Sequence, residues 1–327
     1  MPDFVIGRED FSRSLAQELG CEYREFRHLY YLDGEPNPKI SAKYEEIGGR
    51  DVILVLRGSQ RSEYNKVARN LHNFERHIGN LHRVFRAGSI DVIMPYFWLG
   101  RQDHNPRTDS DPNVRERDYG KDIGYESLAI TFKAQGAHRI ITITPHFYRQ
   151  KGTIKAADII DVISLSGTSA LARYAKELID EGSLSRDALL IGPDLNSNLI
   201  LSEFSGLMRH EMNTDSFKTN DKKRLDDQSV RHNKKINTEG RDVLIVDDII
   251  STAGTLESEI DNLENHGYVD CFAIHGVLPE KGHDRTKAML GKKVRRFITT
   301  DTVDCDYSRA SVIPEIVEFY RKEKQKK

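Results

Sequence analysis

Short apolar runs, mostly β-branched, recur along the chain at residues 52–56, 90–94, 140–144, 188–191, 243–246, 271–277 and 296–299. Runs of four to seven residues without strict polar alternation suit strands covered on both faces of a sheet. Between many of them the polar and apolar positions change to helical spacing, at residues 11–20, 63–78, 125–136, 166–182 and 255–267. Gly267 stands where the last of these would be capped. Alternation of this kind predicts βαβ units and a mainly parallel sheet. The pattern occurs once before about residue 160 and again after it. With 327 residues the chain is long for one domain, so two similar doubly wound α/β domains are expected. We place them at 1–160 and 161–309, with a final helix over 310–327 joining the first.

Two stretches interrupt this rhythm. Residues 101–122 and 209–240 are strongly polar and carry no apolar period, and the second contains the basic run Lys222, Lys223, Arg224. Loops longer than about 12–15 residues in a compact domain are commonly functional or disordered. Both read as candidate lids over a charged ligand.

Composition narrows the partners. Charged residues make up 31% of the chain and nearly cancel to a formal charge of −2, so bulk affinity for nucleic acid is not expected. No apolar stretch approaches the ~20 residues of a membrane span, and the first residues lack a secretory apolar core. A cytoplasmic protein is the expectation. Cys21, Cys271 and Cys305 are odd in number and far apart, which fits reduced, buried thiols better than disulfides or a zinc site.

The chemistry concentrates in VLIVDDIISTAGT, residues 243–255. Here a buried strand is expected to end at Asp247 and Asp248, followed by a small-residue loop and a helix. Such a loop can turn several backbone N–H groups and hydroxyls toward a phosphate at the helix N-terminus, where the dipole favours an anion. The two carboxylates can hold sugar hydroxyls or a magnesium ion.

This segment closely resembles the ribose-phosphate loop of type I phosphoribosyltransferases and ribose-phosphate pyrophosphokinases. Further stretches are similar to the pyrophosphokinases in order and spacing over nearly the whole chain. These are Tyr31 with Asp33-Gly34-Glu35, the Pro-Tyr to Arg-Gln-Asp segment at residues 95–103, Gly192-Pro193-Asp194, and NDKKR at 220–224. The resemblance implies two domains of the type I phosphoribosyltransferase kind. It also implies transfer of the diphosphoryl group of MgATP to the C1 hydroxyl of ribose 5-phosphate. On that reading Asp247, Asp248, Ser251, Thr252, Ala253, Gly254 and Thr255 hold ribose 5-phosphate. Tyr31, Asp33, Glu35, Arg101, Gln102 and His146 hold ATP. Lys222, Arg224 and His146 act in catalysis, and His146 and Asp194 bind Mg2+. The Tyr31 element reaches a neighbouring subunit's ATP in the resembled enzymes, which implies a homo-oligomer with the ATP site at a subunit interface.

The chain departs from the family pattern at four places. Thr144 replaces an acid two residues before His146, Asn196 and Asn198 stand where glycines are usual, His104 replaces an arginine, and Ser251 replaces an aspartate. Two other readings therefore stay open: a catalytically silent regulatory homologue, and a diphosphokinase for another phosphorylated sugar or nucleotide.

Overall fold

The computed structural model describes residues 1–326 except 60–65, 104, 106–107, 109–111, 194–196, 214–217, 220–221, 225–229 and 233–234. At 59, 66–69, 114–115, 117, 218–219, 222–224 and 230–232 only the backbone is described. The chain begins β1 (Phe4–Gly7), α1 (Glu9–Leu19), β2 (Glu22–Arg27), β3 (Lys39–Ile40), α2 (Tyr44–Ile47), β4 (Asp51–Val55), β5 (Gly58–Ser59) and α3 (Lys66–Arg83). Next come β6 (Ser89–Ile93), α4 (Pro112–Arg117), α5 (Gly124–Gln135), β7 (Arg139–Ile143), β8 (Gly152–Ala156), β9 (Ile160–Leu165) and α6 (Gly167–Asp180). There follow β10 (Leu189–Gly192), α7 (Asn198–Met208), β11 (Lys218–Thr219), β12 (Lys222–Arg224), β13 (Val230–His232), β14 (Ile236–Asn237) and β15 (Val243–Ile250). The remainder is α8 (Gly254–Asp261), β16 (Leu263–Glu264), β17 (Val269–Gly276), α9 (Glu280–Met289), β18 (Arg296–Thr300), β19 (Val303–Asp304), β20 (Ser308–Ala310) and α10 (Ile313–Gln325).

Two compact units result: Met1–Arg57, Tyr64–Leu165 and Ile313–Lys327 in the first, Gly58–Glu63 and Ser166–Val312 in the second. The first is built on an eight-stranded sheet in the order β3-β2-β1-β4-β6-β7-β9-β8. All its neighbours are parallel except the edge pairs β2/β3 and β9/β8. Residues 51–55, 89–93 and 139–143 are buried at nearly every position, as a sheet covered on both faces requires. Helix α1 turns Phe11, Leu15, Ala16 and Leu19 inward at helical spacing and ends at Gly20, whose φ of +68° is the left-handed cap that glycine takes without a Cβ clash.

A buried ion network holds α10 in this unit. Asp91 in the middle of β6 accepts from Arg139 Nε and Nη2 (3.0 and 2.9 Å) and from the Tyr320 hydroxyl (2.9 Å). Arg139 Nη1 donates in turn to Glu323 (3.0 Å). A carboxylate this enclosed is tolerated because its oxygens are all engaged. Burial beside Asp91 pushes the Tyr320 hydroxyl well above the ordinary tyrosine range.

The second unit centres on a six-stranded sheet, β11-β10-β15-β17-β18-β20, parallel throughout. Leu189, Ile191, Val243, Ile245, Cys271, Ala273 and Phe297 form its core with Leu256 and Ile260 of α8. The Ser166 hydroxyl caps α6 by accepting from Ser169 N–H at 3.1 Å, a contact of about 1 kcal/mol.

Several elements differ from the sequence expectations. Strand β15 does not stop before the aspartates but runs on to Ile250, because Asp247, Ile249 and Ile250 stay in register with Ala273, His275 and Gly276 of β17. Helix α8 stops at Asp261 rather than at Gly267. Leu263 turns into the core, and residues 263–264 pair with β14 instead. Of the three cysteines only Cys271 is fully buried, and its thiol is raised well above its usual range by desolvation. Among the described residues no helix is long and apolar enough to cross a membrane.

Candidate active site

In open α/β sheets ligands bind beyond the carboxyl ends of strands where the chain reverses its direction of travel across the sheet. In the second unit the chain leaves β10 outward to β11, then returns to β15 on the other side and proceeds through β17, β18 and β20. The switch therefore falls between β10 and β15, whose exits carry Gly192-Pro193 and the 247–255 loop. Asp194 lies outside the described residues. Asp247 and Asp248 are neighbours in an extended strand, so their side chains leave on opposite faces. Asp247 is half-buried and accepts from Asp248 N–H at 2.9 Å, while Asp248 is buried.

The loop itself is backbone-strained. Ala253 has φ +55° and ψ 12°, directly ahead of the first turn of α8. A left-handed residue before right-handed ones curls successive N–H groups into a concavity, and the first-turn N–H groups of a helix have no partner within it. Ser251, Thr252 and Thr255 add hydroxyls at the rim, Thr252 and Thr255 exposed and Ser251 half-buried. The arrangement can receive a phosphate. Lys222 and Arg224 lie two positions apart in β12, which pairs antiparallel with β13. The expected lid is thus in part a two-stranded ribbon.

In the first unit, β6 and β7 are adjacent, so the loops that leave them lie side by side. The first carries Arg101, exposed, and Gln102, whose N–H donates to Leu99 (3.1 Å) and whose carbonyl accepts from Gly124 at the start of α5 (3.0 Å). The second carries His146. Phe147 joins the two, packing edge-on against Phe97 at 5.1 Å and stacking on Tyr125 at 4.2 Å. Burial, with Glu126 adding to it, pushes the Tyr125 hydroxyl up to about 12. Leu99, Thr144 and Arg149 all have positive φ (62°, 32° and 45°), a clustering of backbone strain that accompanies binding loops.

His146 meets Arg149. Arg149 Nη2 lies 2.6 Å from its Nε2 and 3.1 Å from its Nδ1. An arginine can only donate, so the ring contributes a lone pair to the guanidinium. Thr144, at the position of the family acid, turns its hydroxyl to the Leu165 carbonyl (3.3 Å). No group of three His, Cys, Asp or Glu able to hold a metal is present among the described residues.

Tyr31, Asp33 and Glu35 form a tight exposed turn. Tyr31 N–H bonds the Glu35 carbonyl, and Asp33 Oδ1 accepts from Glu35 N–H, both at 2.9 Å. The turn follows β2, which β1 and β4 separate from β6. At ~4.8 Å per strand that is about 14 Å of sheet. The Arg101 loop and this turn therefore belong to different parts of the sheet edge.

Residues 167–302 match the phosphoribosyl transferase domain. Ribose-phosphate pyrophosphokinases are similar over most of their length. That of Methanopyrus kandleri is 26% identical over 311 residues, covering 94% of this chain and 93% of its own. That of Caldanaerobacter subterraneus subsp. tengcongensis is 27% identical, covering 88% and 81%. The chain carries a phosphoribosyl transferase domain and is similar to ribose-phosphate pyrophosphokinases along nearly its whole length. Its fold is also that of the phosphoribosylpyrophosphate synthetase from Mycobacterium smegmatis, with a TM-score of 0.73, 99% coverage of both chains and 18% identity.

Sequence reasoning overlooked Phe97, Tyr125, Phe147 and Arg149, which bring the loop of Arg101 and Gln102 beside that of His146. It also overlooked Gly282 and Arg285 of α9, which lie against the 251–255 loop. No local pattern marks them, because each works by contact with a segment distant in sequence.

Proposed function

We propose that the chain transfers the β,γ-diphosphoryl group of MgATP to the C1 hydroxyl of ribose 5-phosphate, giving phosphoribosyl pyrophosphate and AMP. The observation that carries this reading is the 251–255 loop, with left-handed Ala253 ahead of α8 and two carboxylates at the sheet's switch point. That site suits a phosphorylated pentose: N–H groups and hydroxyls for the phosphate, Asp247 and Asp248 for the ring hydroxyls. In the reaction the C1 oxygen forms a bond to the β-phosphorus, the bond from that phosphorus to the α,β-bridging oxygen breaks, and AMP departs with that oxygen. The proton of the C1 hydroxyl leaves to solvent or a nearby base. Such transfers depend mainly on alignment and charge stabilisation.

Lys222 and Arg224 supply donors to the migrating group. Arg101 grips phosphate oxygens as a bidentate fork, Gln102 lies beside it, and His146 orients Arg149 toward the same anion. Asp194 and His146, with Asp247 and Asp248, would hold a magnesium ion, which would supply positive charge against the phosphates. The exposed turn at Tyr31, Asp33 and Glu35 serves the ATP of a neighbouring copy in a homo-oligomer, in the cytoplasm. The Arg149 bonds to His146, with Thr144 beside them, favour a second reading, a silent homologue that binds these ligands and regulates a partner.

Phosphorus NMR of the purified protein with MgATP and ribose 5-phosphate separates the two. Parallel growth of AMP and a sugar-bound diphosphate is the expected result. Ligand binding without those signals would replace the enzyme by the regulatory reading.

A further inference from the structure

We infer that Arg285 is a positioning residue for the ribose-phosphate loop, holding it in its strained shape from behind. This rests on the reading that residues 251–255 receive the sugar phosphate. Three contacts place α9 against that loop and the first turn of α8. Arg285 Nη1 donates to the Thr252 carbonyl at 3.0 Å, one residue before Ala253. Its Nε pairs with Glu257 of α8 at 3.1 Å, and the same Glu257 is 3.7 Å from Lys293. Gly282, one turn earlier on the same face of α9, has its Cα so close that an added Cβ would stand 2.0 Å from the Ser251 carbonyl.

Gly254 completes the fit. A Cβ there would stand 2.7 Å from Arg285 Nη1, so the guanidinium occupies the space that any larger residue would fill. The result is a clamp over a single turn of chain. Thr252 is fixed through its carbonyl, and Glu257, at the end of the first turn of α8, is fixed through its carboxylate. Between them the backbone is forced through a left-handed alanine, a conformation that needs support from its surroundings. The carbonyl of Thr252 is held back toward α9, which leaves the N–H groups of the following residues to the ligand side. Arg285 acts through this bond and not by touching the sugar phosphate.

That distinction is testable, because glycine adopts φ +55° without strain. In Arg285→Ala, ribose 5-phosphate binding measured by calorimetry on the full chain should weaken roughly fivefold to tenfold, the loss of one charge-assisted hydrogen bond at a half-exposed site. ATP binding should stay within about twofold on the same principle. Exchange of the 251–257 amides, followed by mass spectrometry, should quicken. Adding Ala253→Gly to Arg285→Ala should recover most of the affinity, and Arg285→Lys should lose less than Arg285→Ala.

Weakened binding with no recovery in the Ala253→Gly double variant would mean that the guanidinium contacts the phosphate itself, and positioning would be overturned. Unchanged binding and exchange in Arg285→Ala, in a protein whose wild type binds ribose 5-phosphate, would overturn the inference and leave the reading of the loop standing. A wild type that takes up no ribose 5-phosphate would sink that reading. The amide exchange would then still decide, by itself, whether Arg285 holds the loop.

Discussion

His77 offers a sharp test of how burial sets stability in the first unit. It lies on the inner face of α3, wholly inaccessible, 4.3 Å from the Phe26 ring and 5.4 Å from His28. Neither of its ring nitrogens has a hydrogen-bond partner among the described residues. Desolvation, with a smaller contribution from His28, lowers its pKa to about 3 from an ordinary 6.5. Above pH 6.5 the ring is neutral in both the folded and the unfolded chain, and stability is fully present. Below it the unfolded chain takes up a proton that the native ring refuses, so stability falls as pH drops toward 3. At ~1.4 kcal/mol per pH unit, the loss reaches about 2 kcal/mol at pH 5. His77→Leu removes this term and two unsatisfied nitrogens, so the variant should be at least as stable as wild type at pH 7.5. By pH 5 it should gain about 2 kcal/mol relative to wild type. Urea unfolding at the two pH values, followed by the fluorescence of Trp98, measures this. Trp98 is the single tryptophan of the chain and sits 5.3 Å from Phe74 in the same aromatic cluster. A stability difference between variant and wild type that is the same at both pH values would refute the reasoning.

Other outcomes follow from the sites. On the proposed mechanism Lys222→Ala should lower kcat about 10²–10³-fold while moving either KM far less, its charge then acting on the developing phosphoryl anion; steady-state kinetics with an unchanged kcat would remove it from the mechanism. Asp247→Asn combined with Asp248→Asn should weaken ribose 5-phosphate by about tenfold or more and spare ATP, and calorimetry showing equal losses would contradict the assignment. Asp91→Asn should destabilise the first unit by about 3 kcal/mol, because Arg139 loses the carboxylate charge that faces it and one accepting oxygen becomes a donor; Trp98-detected unfolding that matches wild type would exclude that network as a mainstay of the α10 attachment.

The sequence by itself determined the α/β alternation, the parallel sheets and the resemblance to the pyrophosphokinases, because continuous β-branched runs and small, polar strand exits follow from local chemistry. VLIVDDIISTAGT needed no partner to be legible, and neither did the Tyr31, Arg101 and Lys222 segments. Tertiary structure decided what depends on neighbours. Strand β15 continues past Asp247 because β17 offers it hydrogen bonds, and α8 ends early because Leu263 has a core to enter. His146 meets Arg149, and Phe147 bridges two loops that the sequence separates by about fifty residues. Arg285 reads as one more surface charge on a polar helix until folding sets it behind Thr252. A motif can be read from order and spacing, whereas the clamp that holds it in a strained shape exists only once distant segments have packed together.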